Sequence, residues 1–245
     1  MNSIWTVARR ELQSYFATPI ASIFLIIFLV LSGCFTFFLA KFYDAGQADL
    51  RVFFGFHPWL YLILVPALAM RLWSEERRTG TVELLLTLPI SAGQAILGKF
   101  LASWLFAGLA LMLTFPMWWT VNYLGDPDNG AILTSYLASF LLAGAFLAVG
   151  TLTSVLTKNQ VIAFVLAVAT GLFFLVFGFS GMVGWMADIG VPTPLLDLLG
   201  SLSFLKNFDA LSKGVINLNA VVFFCSLIAL CLLLSRLSLE RVAAS

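Results

Sequence analysis

Residues 18–40 carry no charged side chain. A run of that length meets the roughly 20 apolar residues that a helix needs to cross the hydrocarbon layer of a bilayer. Within that layer every backbone N–H and C=O must be satisfied inside the protein, so an isolated run of this kind can only be helical. Comparable apolar runs recur at 53–72, 98–122, 132–156, 161–183 and 217–235. Across 245 residues the chain is 61% hydrophobic and 10% charged, where a soluble domain carries about 25% charge. Length and composition predict one all-α integral membrane protein over 1–245, with six transmembrane helices.

Between these runs lie the segments that must touch water or headgroups. Residues 1–18 alternate apolar side chains, among them Trp5, with Arg9, Arg10 and Glu11, which predicts an amphipathic interfacial helix with its aromatic residues at headgroup level. Pro19 suits the first turn of the following helix, where its missing N–H costs nothing. Pro66 predicts a kink in the second run, and Pro116 a bend near the end of the third. His57, the single histidine, precedes Pro58 and reads as an interfacial polar residue rather than a ligand. The GDPDNG turn at 125–130 lacks the later ligands of a calcium loop and reads as a solvated turn. Gly144 and Gly150 in the fourth run would let neighbouring helices approach closely.

The longest charged interruption is 70–91, MRLWSEERRTGTVELLLTLPIS. Thr81 can cap a short helix, Glu83 would sit in its first turn where negative charge suits the helix dipole, and Pro89 would stop it. Val82, Leu85 and Leu86 share a face, widened by Leu84 and Leu88. Gly80 separates this piece from the Glu75, Glu76, Arg77, Arg78 cluster and permits a sharp change of direction. From pattern alone, a helix lying passively on the bilayer explains the segment as well.

The same string resembles the signature between the second and third spans of ABC-2 type permeases, through Arg71, Ser74, Glu75, Glu76, Arg77, Gly80, Thr81, Glu83, Leu84, Leu85, Leu86, Thr87, Pro89, Ile90 and Ser91. In that family the segment is a coupling helix that docks on a separate ATPase subunit. The resemblance therefore implies a coupling segment at 74–90, Arg78 included. The N-terminal WTVARRELQSYFATPIA and the later SLSFLKNFDALSKGVIN are similar to the gliding-motility and copper-enzyme-maturation branch. The second match departs from that branch's pattern: Gly214 lies farther from Phe208, and no histidine is present. Phe204, Asn207 and Phe208 become candidates for an outer gate. Residues 184–214, broken by Gly190, Pro192, Pro194 and Gly200, are expected to form two short helices near 185–189 and 195–204, re-entrant or lying on the outer surface.

Charge sets the orientation. With six spans and the N-terminus inside, inner segments hold Arg9, Arg10, Arg71, Arg77, Arg78, Lys99, Lys158, Arg236 and Arg241, whereas outer loops hold only Lys41, Arg51, Lys206 and Lys213 against seven acids. The positive-inside rule then places both termini and 70–91 in the cytoplasm. Cys34, Cys225 and Cys231 all fall within apolar runs with no metal-ligand spacing, so neither a disulfide framework nor a metal site is expected. No GxxxxGK[ST] string is present, and no catalytic constellation falls within the spans.

The expected function is that of a non-catalytic permease subunit of an ATP-driven exporter or ABC-powered complex in the inner membrane. ATP and magnesium would belong to the partner ATPase, and the chain itself is expected to hold no cofactor or metal. The resemblance further implies a second permease copy as homodimer and an auxiliary outer-side protein, with membrane lipid and no nucleic acid as other contacts. The alternative is a passive membrane scaffold or secondary carrier without an ATPase partner.

Overall fold

The computed structural model describes residues 3–17, 19–44, 46, 49–82 and 90–244. Among them the chain is helical throughout, without a strand. The helices are α1 (Ser3–Ala17), α2 (Pro19–Cys34), α3 (Arg51–Gly55), α4 (His57–Ala69), α5 (Arg71–Thr79), α6 (Ala92–Met112), α7 (Phe115–Leu124), α8 (Asn129–Leu156), α9 (Gln160–Val176), α10 (Ser180–Asp188), α11 (Thr193–Ser201), α12 (Phe204–Leu211) and α13 (Leu218–Ala244). A single π turn, Phe35–Leu39, extends α2. There the hydroxyls of Ser32 and Thr36 donate back to the carbonyls of Phe28 and Ser32 at 2.6 and 2.7 Å, a pattern that loosens the helical ladder.

Helix α8 is the axis of the bundle. Of its most apolar window, 83% is buried inside the protein, against 22% for α2 with its π turn and 33% for α13. Helices α4, α5, α6, α9, α12 and α13 all pack on it. The expectation for its small residues holds: a Cβ on Gly144 would lie 2.8 Å from the Trp104 ring, and one on Gly150 would collide with the Ala69 Cβ. Asp128 opens the helix as its N-cap, accepting from Gly130 N and Ala131 N.

Among the described residues, four segments are long and apolar enough to cross a membrane: Ala21–Leu39, Ala92–Leu124, Asn129–Leu156 and Leu218–Arg241. A fifth is formed if α9 and α10 count as one broken span, their axes turning by 75°. The predicted second span differs from expectation. It is divided into α3, α4 and α5 by single turn residues at Phe56 and Met70, and α4 has 13 residues, about 20 Å of helix against a hydrocarbon layer of about 30 Å. The third span also breaks, at Leu113–Thr114, just before Pro116. After α9 the chain forms three short helices rather than two, α10 to α12, with ranges displaced from those expected.

His57 is not interfacial. It is completely buried, and its Nδ1 lies 2.6 Å from the Ser139 hydroxyl, which is also 2.9 Å from the Tyr61 hydroxyl. The rings of Phe28, Phe53 and Phe54 pack around the imidazole. Pro58 misled the sequence reading. It starts α4 rather than marking a membrane surface, and the start of α4 is covered by α2, α3 and α8.

Candidate functional site

The charged segment begins at the junction of α4 and α5. Helix α5 has no side-chain cap of its own, because Met70 precedes it. Its exposed N–H groups are met instead by a residue distant in sequence: the Ser154 hydroxyl on α8 accepts from Trp73 N and Ser74 N, both at 3.0 Å, and donates to the Met70 carbonyl at 3.0 Å. This remote cap satisfies helix-end donors that would otherwise be buried without partners. One turn further along, Arg77 donates to the Val155 carbonyl and so ties α5 to the end of α8 a second time.

On its other side α5 is held by Lys99 of α6. The ammonium is 3% exposed and donates to Glu76 Oε1 at 2.6 Å and to the Leu72 carbonyl at 2.8 Å. It also lies 3.7 Å from Glu11 Oε1 and 4.8 Å from the centre of the Trp73 ring. Two carboxylates, a carbonyl and an aromatic face surround one buried cation. An ammonium withdrawn from water requires compensation of this kind. The cluster joins α1, α5 and α6.

Helix α1 lies along α6 because the α6 surface allows it. A Cβ on Gly98 would fall 2.7 Å from the Val7 Cβ, closer than real Cβ atoms approach one another. Tyr15 and Ser103 share a hydrogen bond at 2.8 Å, and the Tyr15 and Phe106 rings stack at 5.3 Å. Burial raises the Tyr15 phenol above its usual value, with the Ser103 hydrogen bond pulling the other way. Trp5, Arg9 and Arg10 are exposed, and the Phe16 ring meets the same Phe106 edge-on at 6.0 Å.

The predicted coupling residues that the structure describes separate into three groups. Glu75 and Arg78 pair with each other at 2.6 Å on the exposed side of α5. Glu76 and Arg77, which the sequence places with them, turn inward to Lys99 and Val155; Glu76 Oε2 and Arg77 Nε are buried without a partner among the described residues. Gly80 closes α5 with φ +72°, the left-handed conformation that makes a glycine at this turn favourable. Thr81, expected as a cap, donates its hydroxyl to the Glu76 carbonyl at 3.4 Å. Glu83, Leu84, Leu85 and Leu86, with Pro89, fall in 83–89 and lie outside the described residues. The chain resumes at a capping box in which Ser91 and Gln94 satisfy each other's backbone N–H and start α6.

Away from this charged end, toward the middle of α8, the candidate gate residues belong to α12. Phe204 is fully buried against Phe146 of α8, Phe174 of α9 and Phe224 of α13, with ring centres 5.0, 4.9 and 6.1 Å away. Phe208 is buried beside it, and Asn207 donates to the carbonyls of Ser201 and Ser203 at 2.8 Å. Phe204 and Phe208 anchor α12 to the bundle, whereas Asn207 closes the turn that enters α12 from α11.

Sequence reasoning missed Ser154 and the role of Lys99. A serine in a helix full of small residues gives no local signal. A lone lysine within an apolar helix does give one, because intramembrane charge implies a partner.

Fold and site together define a polytopic helical membrane protein with an amphipathic N-terminal helix and a charged helix braced against the bundle at the same end. Residues 5–242 match the family described as ABC-2 family transporter protein, and the chain belongs to that family of permeases. It is similar to the probable ABC transporter permease protein NosY of Pseudomonas aeruginosa, 32% identical over 120 residues, and to the protein of the same name from Stutzerimonas stutzeri, 30% identical over 120 residues. Each match takes in 47% of this chain and 44% of the relative, so the aligned stretch spans less than half the length of either relative.

Proposed function

We propose that this ABC-2 permease is the membrane half of an ATP-driven complex in the inner membrane, acting in export or in signalling across the membrane. A separate ATPase subunit would dock on 74–90, two permease copies would assemble with it, and both termini would face the cytoplasm. The observation that carries the reading is the bracing of α5. Lys99 fixes it to α6 and α1, while Ser154 and Val155 fix it to α8. A load applied beyond Gly80 would reach α5 and pass directly to two spans and the interfacial helix. A loop that merely grips lipid has no need of such a brace.

Purification of the full chain from its native membrane in detergent, with partners identified and ATP hydrolysis assayed, tests this. A co-purifying ATPase in equal amount is expected, and Glu83→Arg with Leu85→Asp should abolish its retention while the permease stays folded. A permease that purifies alone, with no ATP hydrolysis, would assign it instead to a passive scaffold or secondary carrier.

A further inference from the structure

Beside α5, and separate from the Lys99 cluster, a polar cavity of about 730 Å3 opens between one face of α5 and the turn joining α8 to α9. We propose that it binds the phosphate headgroup of an anionic membrane lipid. Arg71, Arg78 and Lys158 line it against a single carboxylate, Glu75, which is already paired with Arg78. Arg71 and Lys158 have no ion-pair partner among the described residues. Two basic side chains therefore face the cavity uncompensated. The first turn of α9, capped by the Asn159 side chain on Val161 N, adds the positive end of its dipole to the same space.

Charge alone would suit any phosphate; the cavity wall selects a lipid. Val161 lines it and is 67% exposed, and it begins an apolar strip along α9 through Ile162 and Val165, both also exposed. A phosphate held by Arg71 and Lys158 would leave its acyl chains on that strip, at the boundary where the apolar part of α9 begins. Basic pockets between helices at the membrane edge suit acidic headgroups in this way. The inference requires only that the chain cross a membrane and does not depend on an ATPase partner, so the two can fail separately.

The test is native mass spectrometry of the full-length protein titrated with phosphatidylglycerol, phosphatidylcholine, glycerol 3-phosphate or inorganic phosphate. Retained phosphatidylglycerol in excess over phosphatidylcholine is expected, with neither soluble phosphate competing at equal concentration. Replacing Arg71 and Lys158 together by Gln should weaken retention roughly thirtyfold, given the usual contribution of each basic residue near a membrane surface. Arg71→Lys with Lys158→Arg should restore it, and Lys41→Gln with Lys213→Gln should leave it unchanged. Equal retention of the two lipids by the wild-type protein would overturn the proposal. So would effective competition by inorganic phosphate, which would make this a soluble-anion site. Loss of a protein partner in the Gln variant with lipid retention intact would assign the cavity to a protein contact and overturn it as well.

Discussion

The Ser139 hydroxyl serves two buried groups at once, Nδ1 of His57 and the hydroxyl of Tyr61. Removing it strands both, whereas removing the imidazole also removes Nε2, which is buried without a partner among the described residues. Leaving a buried donor or acceptor unsatisfied costs about 1–3 kcal/mol, but replacing a polar group by an apolar one of similar shape can be nearly neutral. Ser139→Ala should therefore lower the thermal midpoint of the detergent-solubilised protein clearly more than His57→Phe, although histidine is the more conspicuous residue. Lys99 follows the same logic with charge. Lys99→Ala leaves Glu76 and Glu11 facing each other without their cation and should destabilise by about 3–5 kcal/mol, as breaking buried ion pairs does. Combining Lys99→Met with Glu76→Gln and Glu11→Gln should recover most of that loss, because no uncompensated charge then remains. A thermal melt that ranks the triple variant below Lys99→Ala would remove the cluster from the account of what holds α5.

At the scale of elements, the contact of α1 with α6 depends on the absence of a side chain at Gly98. Gly98→Val would force the helices apart around Val7, and overpacking of this kind costs about 1–3 kcal/mol. The expected result is faster proteolysis of the first 17 residues with the spans intact. Helix α1 itself was legible from its alternation of apolar and charged residues, and α2 from Pro19 and an uncharged run. The division of the second span into α3, α4 and α5 was not legible. The break at Met70 is sealed by Ser154, eighty-odd residues away, and no local rule connects them. For the same reason Glu76 read as a surface acid: its partner Lys99 lies across a segment whose length and apolarity hid the pairing. The charged string at 70–82 was visible at once, but which of its members point inward is set by α6 and α8. Periodicity identified the helices here, and long-range polar contacts determined how they meet.

For the whole molecule, the number of membrane crossings follows from which helix ends lie together. Contacts fix which ends lie together. Leu50 and Phe54 adjoin Ala131 and Ile132 at the start of α8, Gly214 N donates to Thr134 Oγ1 at that same end, and Trp73 meets Ser154 at the other. Residues 51–73 thus run alongside α8 from near its start to near its end, and the two helices within 51–69 would reach roughly 28 Å if aligned as one. That nearly matches the hydrocarbon thickness, so α3 and α4 together should complete a sixth crossing and return both termini to one side. Labelling tests this after Cys34, Cys225 and Cys231 have been replaced by Ala. Asp44→Cys, Asp126→Cys and Lys213→Cys should react with a membrane-impermeant maleimide in intact spheroplasts. Thr79→Cys and Lys158→Cys should react only after permeabilisation. Asp44 and Thr79 are the decisive pair, since they flank 51–69. If both label from the same side, that stretch dips into the bilayer without crossing it, the termini lie on opposite faces, and α5 cannot share the cytoplasm with α1. The Glu11–Lys99–Glu76 cluster argues against that outcome, because it brings α1, α5 and α6 together at one end of the bundle.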